Sequence, residues 1–251
     1  MKTVARWGPA ALGLGTLIVA GGVLEALIRG GAVNRYIVPL PSQVLLAFER
    51  VVVEENVVQR FLLTSVETLV AGALVTIVGV ALGVLLHRVR LIRAACETWV
   101  AAFASAPIVL MYPLFLVIFG RSATTIVMMG FVAALPPVIL KTVEGLSATR
   151  AVLIDVGRSF NVTPAQMFWK IMLPAALPTV FVGLRLGLIF AMINIVGVEF
   201  LINFGGLGQL INELAERYDL PGTYAAIGFV VLVSVLFFYV TERVERWLRP
   251  A

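Results

Sequence analysis

Runs of about 20 or more mostly apolar residues recur along this chain, and each is long enough to cross the hydrocarbon of a bilayer as a helix. They fall at 9–28, 61–86, 94–119, 122–140, 174–202 and 222–240. In lipid every backbone N–H and C=O must find its partner inside the protein, so runs of this length read as helices. The composition agrees. Apolar residues make up 61% of the chain and charged residues 13%, against roughly 45–50% and 25% in an ordinary soluble domain. The expected fold class is an all-α polytopic membrane protein with six transmembrane helices in one domain, residues 1–251. The first run is too long for the apolar core of a cleavable signal, which is about 7–15 residues, so it reads as the first span.

The formal charge of +5 does not point to nucleic acid, because no Lys/Arg cluster is interleaved with aromatics. Cys96 is the one cysteine and His87 the one histidine. That excludes an internal disulfide and gives no metal site. No phosphate-binding GxxxxGK[ST] loop or GxSxG nucleophile elbow is present.

The basic residues instead set a topology. An even number of spans puts both termini on one side. With the termini inside, the inner segments carry Lys2, Arg6, Arg88, Arg90, Arg93, Lys141, Arg150, Arg158, Lys170, Arg243, Arg246 and Arg249. The outer segments carry Arg29, Arg35, Arg50, Arg60, Arg121 and Arg217. This two-to-one excess places both termini, and the 142–173 loop, in the cytoplasm. Residues 30–60 then lie outside. Their VPLPS turn precedes SQVLLAFERVV, whose apolar residues recur at helical spacing. The segment is expected to be an amphipathic helix, either lying on the outer membrane surface or packed on the outer ends of the spans. Pro107 and Pro113 in the third span, and Pro136 and Pro137 in the fourth, free backbone carbonyls. That suits helices lining a pathway, or a purely structural kink.

The cytoplasmic loop is unusually rich in structure signals. Residues 142–160, TVEGLSATRAVLIDVGRSF, are helix-compatible. Asn161 tolerates the left-handed conformation that ends many helices. Thr163, Pro164 and Gln166 then supply an N-cap, a first-turn proline and the third-position partner of a capping box. A new helix is expected from Pro164 through MFWKIM, with Pro174 opening the fifth span. The result is a rigid knob that exposes Phe168 and Trp169, although Trp169 also suits an aromatic belt at the lipid interface.

This loop resembles the EAA loop of permease subunits in ATP-binding-cassette importers. That motif reads Glu-Ala-Ala, three residues, Gly, nine residues, Ile, any residue, Leu-Pro. Asp155-Val156-Gly157 stands at the Glu-Ala-Ala positions, Asn161 at the glycine, and Ile171, Leu173 and Pro174 at the end with the nine-residue gap. Asp keeps a carboxylate and Gly157 a small residue. Val156 is larger than the family's alanine, which leaves close packing there open. YIVPLPSQV, PIVLMYPLFLVIFG, LPAALPTVFVGLRLG, VEFLINFGGLGQLI and ERVERW look like the nitrate/taurine/sulfonate branch of these permeases. The resemblance implies the type I importer fold. It makes the loop a coupling helix docked on a dimer of separate ATPase subunits through Asp155, Gly157, Asn161, Thr163, Pro164, Phe168, Ile171, Leu173 and Pro174. It implies a second permease copy, giving a homodimer, and an extracytoplasmic substrate-binding protein. This chain would hold no cofactor and catalyse nothing, since ATP and Mg would sit on the partner ATPase.

Ionisable groups inside spans are functional candidates by default. Arg185 lies 11 residues past Pro174, about 16 Å along a helix axis and near mid-bilayer by that count. It is expected either to attract an anionic substrate or to pair with a neighbouring span. Glu67 and Glu199 fall near the outer ends of the second and fifth spans. Glu67 departs from the basic residue often seen in the family, whereas Glu199 matches a carboxylate of gating or structural use. Asn194 is a further polar group facing an interior, and Met111 and Tyr112 are pathway-lining on resemblance alone. Gly72, Gly79 and Gly83 read as close-packing positions. The FGGLG stretch after the fifth span reads as a gate or a buried re-entrant turn. The expected function is uptake of a small sulfonate-, taurine- or nitrate-like anion at the bacterial inner membrane. A neutral or aromatic nutrient is the alternative within the same machinery, and an ion-coupled carrier the alternative outside it. A carrier's paired broken helices are not evident.

Overall fold

A computed structural model describes residues 4–248 of the chain. Lys2 and Arg249 of the charge count lie outside them. The described residues hold helices and no strand. Among the described residues five helices are long and apolar enough to cross a membrane, or up to six spans if one bent pair counts as a span. The protein is an all-α polytopic membrane protein.

In chain order the helices are α1 (Val4–Arg29), α2 (Pro41–Glu54), α3 (Val57–Arg88), α4 (Arg90–Ala104), α5 (Tyr112–Phe119), α6 (Ala123–Ser147), α7 (Ala151–Ser159), α8 (Pro164–Met167), α9 (Leu173–Ile202), α10 (Gly206–Glu216) and α11 (Leu220–Leu248). A 3-10 turn, Ile108–Met111, precedes α5. A π turn, Phe168–Met172, joins α8 to α9.

The core is a three-helix packing of α3, α6 and α9. Val75, Ile126, Met129, Val138 and Ile195 are fully buried in it. Without a hydrophobic drive between helices in lipid, close approach through small residues supplies the contact. A Cβ on Gly79 would meet Val138 Cγ1 at 2.9 Å. One on Gly83 would meet Thr142 Cβ at 2.5 Å. Gly72 faces Leu188 just as tightly. The glycines of the second span are packing positions.

The third span is not one helix. α4 and the Ile108–Phe119 helix meet at a bend of 94°. The break falls at Ser105–Pro107, where proline disfavours helix at the residue before it. Pro113 causes no break, because in the first turn of α5 its missing N–H has no partner to lose. α6 likewise runs unbroken through Pro136 and Pro137.

The segment at 30–60 contains α2, which packs rather than floats. Ala47 and Val51 are buried against Leu207, Leu210, Leu214, Ala225 and Ala226 of α10 and α11. Ser42 at its start donates N–H and Oγ–H bonds of 3.0 and 2.8 Å to Glu25 of α1. Leu45, Leu46 and Val53 remain exposed on the other face.

The FGGLG stretch makes a tight reversal. Asn203, Gly205 and Gly206 all have positive φ, and α10 turns back onto α9, α3 and α11. Leu207, Leu210 and Leu214 are buried, so this is a turn enclosed in protein.

Candidate functional site

The strongest candidate lies at the end of the bundle that carries the 142–173 loop. Here the expected single helix over 142–160 is two. α6 stops at Ser147, where Thr149 Oγ1 donates to the Leu146 carbonyl at 3.0 Å, and α7 starts after extended Arg150. α7 ends as the sequence suggests. Asn161 has φ +51°, and Val162 N–H donates to the Gly157 carbonyl at 3.3 Å, which closes the helix end.

Thr163 then caps α8. Its hydroxyl accepts from Gln166 N–H at 3.3 Å, and Gln166 Oε1 accepts from Thr163 N–H at 3.0 Å. From Pro164 the helix continues without interruption to Ile202. The π turn has a local cause. Pro174 has no N–H for the Lys170 carbonyl, and Leu173 N–H bonds Phe168 O five residues back. The knob and the span behind it are therefore one continuous rod.

Gly157 explains how α7 sits against that rod. A Cβ there would come within 2.7 Å of both Met167 Cε and Ile171 Cδ1. Val156 needs no such room, because it points away and is exposed. Asp155 is exposed and pairs with Arg158 at 3.2 Å. Leu173 and Pro174 open α9.

Phe168 departs from expectation. It is 6% exposed, packed with Leu146, Ala176 and Val180, with the Arg88 guanidinium 4.3 Å above its ring. A cation–π contact of this kind joins α3 to the rod. Trp169 meets it edge-on at 5.3 Å and is 64% exposed. Phe168 thus anchors the knob, and Trp169 is the aromatic on its surface.

The loop also carries an exposed apolar stripe along α7 and its cap residue. Val152, Val156 and Phe160 are all exposed, Phe160 at 78%. Their spacing of four residues puts them on one helix face. That spacing is visible in the sequence. Its exposure is not, because an identical stripe could equally face the core. Exposed apolar patches of this kind mark interaction surfaces.

The proposed pathway residues do not converge within one chain. Arg185 is not presented to open space. It makes a 2.9 Å ion pair with buried Glu245 of α11, and its guanidinium lies 5.4 Å from the Phe238 ring. Along the rod it stands near the middle, 21 residues past Pro164 and 17 before Ile202, about 32 and 26 Å at the helical rise. Asn194 bonds back to the Phe190 carbonyl at 2.9 Å. Met111 and Tyr112 are partly buried against the α3–α6–α9 core. Glu67 and Glu199 do come together, buried, where α3 meets the α9–α10 reversal. An ionic belt surrounds that end. Arg60 pairs with Glu213 at 2.7 Å, Arg217 with Glu55 at 2.8 Å, and Arg50 with Asp219.

The model of the family described as binding-protein-dependent transport system inner membrane component matches residues 75–250. The chain belongs to this family. The family match covers α3 from Val75 onward and α4 to α11, with the loop and the α9–α10 reversal among them.

Among its relatives, the glycine betaine/proline betaine transport system permease protein ProW of Escherichia coli is 32% identical over 64% of this chain. The chain spans 45% of the length of that ProW. The formylaminopyrimidine transport permease protein ThiX of Halalkalibacterium halodurans is 24% identical over 84% of this chain and 85% of its own. The taurine transport system permease protein TauC of Escherichia coli is 22% identical over 95% of this chain and 89% of its own. A solved structure of the methionine ABC transporter MetNI in an inward-facing conformation has a chain that superposes with a TM-score of 0.66 and 23% identity. The match covers 76% of this chain and 94% of that one. This likeness bears on the fold, which is that of type I importer permeases.

Proposed function

We propose that this chain is the membrane-spanning subunit of an ATP-driven importer in a bacterial inner membrane. Residues 1–251 form a single permease domain with both termini in the cytoplasm. The chain hydrolyses nothing itself. A dimer of separate ATPase subunits holds ATP and magnesium, a second copy of this chain completes the pathway, and an extracytoplasmic binding protein delivers the substrate.

One observation carries this reading. The knob at 151–172 presents Val152, Val156 and Phe160 along α7 and its cap, and Trp169 on the rod against which α7 packs, a rod long and apolar enough to cross a membrane. A rigid element of that kind passes a push at its tip to the far end of the span. Asp155, Gly157, Asn161, Thr163, Pro164, Ile171, Leu173 and Pro174 shape and hold the tip, and buried Phe168 clamps it to α3.

The substrate is a small nutrient, first of the sulfonate, taurine or nitrate type. The match to TauC along nearly the whole chain supports that class. A neutral or aromatic nutrient is a second reading, favoured by the Arg185–Glu245 pair, in which a carboxylate already engages the Arg185 guanidinium. Competition between a sulfonate and a neutral nutrient in uptake assays separates the two.

The importer reading is tested at the stripe. Val156→Asp and Phe160→Asp leave the buried core untouched. Each is expected to abolish co-purification of the ATPase subunit and ATP-dependent uptake, while membrane insertion stays normal. Full uptake with both substitutions in place would overturn the docking role.

A further inference from the structure

A polar cluster sits where α3 meets the α9–α10 reversal, and neither the docking face nor the substrate reading uses it. Glu199 is wholly buried. Its Oε1 accepts from Thr64 Oγ1 of α3 at 2.7 Å, and its Oε2 accepts from Gly208 N–H at 2.8 Å. Leu207 N–H donates to Thr64 Oγ1 at 3.0 Å. Leu207 and Gly208 open α10, so Glu199 and Thr64 supply acceptors that the first N–H groups of a helix otherwise lack. A negative charge there also meets the positive end of the helix dipole. Gly206, at φ +71°, lies so close to the Glu199 carboxyl that any Cβ would overlap it.

Glu67 completes the cluster and does not fit it as an anion. It is 3% exposed and faces Glu199. Neither of its carboxyl oxygens has a hydrogen-bond donor. Ionised carboxylates only accept, so two of them in contact have nothing to share. Two buried like charges at contact distance also repel too strongly for both to be ionised. A proton on Glu67, donated to Glu199, removes both faults at once.

The surrounding charges do not offer an alternative. Arg60 of α3 is paired with Glu213 of α10, whose other oxygen accepts from Gln209. Arg121, before α6, donates to the Ile202 and Asn203 carbonyls. Thr125 of α6 bonds the Gly120 carbonyl. Arg50 of α2 pairs with Asp219, at the start of α11. Among the described residues no cation pairs with Glu67 or Glu199.

We propose that Glu67 and Glu199 form a single-proton site that latches the α9–α10 reversal onto α3. Loss of the proton leaves two buried anions, one of which, Glu199 on the last turn of α9, holds the Gly208 N–H that opens α10. Their repulsion drives the reversal away from α3. The latch is therefore closed while the proton is bound and opens as pH rises through the titration of the pair. Beside it lies a pocket of about 520 Å³ lined by Gln59, Arg60, Leu63, Gly205 and Gln209, with the reversal as one wall. Opening the latch widens that pocket, so the proton governs access to this end of the bundle. The site does not depend on what the bundle transports.

Infrared spectroscopy and hydrogen exchange of the purified full-length protein test the proposal without a transport assay. At neutral pH the wild type is expected to show a carboxylic-acid C=O band that Glu67→Gln lacks. At alkaline pH that band should vanish, and protection of amides 203–212 should fall about tenfold beyond the intrinsic base-catalysed rise. Glu67→Gln, which donates an N–H to Glu199 and cannot titrate, should keep its protection. Glu67→Met, which places no charge there, should also show no pH step if the glutamine variant fails to accumulate. An identical neutral-pH spectrum for wild type and variant would overturn the proposal. So would a wild type whose segment 203–212 keeps full protection when the acid band is lost, or one whose protection follows sodium concentration instead of pH.

Discussion

Gly83 and Gly157 stand at two close approaches that differ in what surrounds them. A Cβ at Gly83 would press on Thr142 Cβ and sit 3.0 Å from the Ile139 carbonyl, which is backbone of the facing helix and cannot yield alone. At Gly157 the clashing atoms are the ends of the flexible Met167 and Ile171 side chains. Gly83→Val is therefore expected to destabilise by about 2–3 kcal/mol and Gly157→Val by about 1 kcal/mol, read as thermal midpoints of the purified protein. Equal midpoints for the two would contradict the packing derived for α3 and α6. The same scale shows where residue type misleads. Phe168 and Trp169 are adjacent aromatics in a polar loop, and sequence alone gives them one role. One is clamped under Arg88 and the other faces outward. Arg185 is an intramembrane cation in the sequence and half of an ion pair in the fold. Its partner lies 60 positions away, which no local pattern records.

At the level of elements, punctuation was legible wherever the cause is local. The Thr163–Gln166 capping box, the left-handed Asn161 and the start at Pro164 all form as their residue types dictate. Thr163→Ala removes the hydroxyl acceptor and is expected to weaken the knob by about 1 kcal/mol. Faster hydrogen exchange confined to residues 160–170 is the readout, and an unchanged rate there would leave the cap without a stabilising role. Breaks that depend on neighbours were less legible. The gap between α6 and α7 and the folding of α10 back onto the bundle each need a partner surface, whereas Pro107 marks where the third span breaks but not that the bend reaches 94°. Conversely, Pro136 and Pro137 suggested a disruption that α6 does not show.

For the molecule as a whole, the orientation proposed from basic residues has a direct test. In a cysteine-free background made with Cys96→Ser, Tyr36→Cys is expected to react with an impermeant thiol reagent in intact cells. Phe160→Cys should react only after the membrane is opened. The reverse pattern would invert the topology and remove the docking argument with it. Both side chains are exposed in the chain by itself, so in cells that lack the ATPase subunit accessibility reports the side of the membrane and not burial.

The sequence by itself determined that the chain is helical and spans a membrane. Uninterrupted apolar runs leave no other way to satisfy the backbone in lipid. It also determined the shape of the loop ends, because caps and prolines act within a few residues of themselves. Only the tertiary structure decided which ionisable groups meet. Glu67 and Glu199 stand 132 positions apart in the chain and in contact in the fold. Their chemistry arises from burial and proximity, and both are set by how three helices and a glycine turn close on one another.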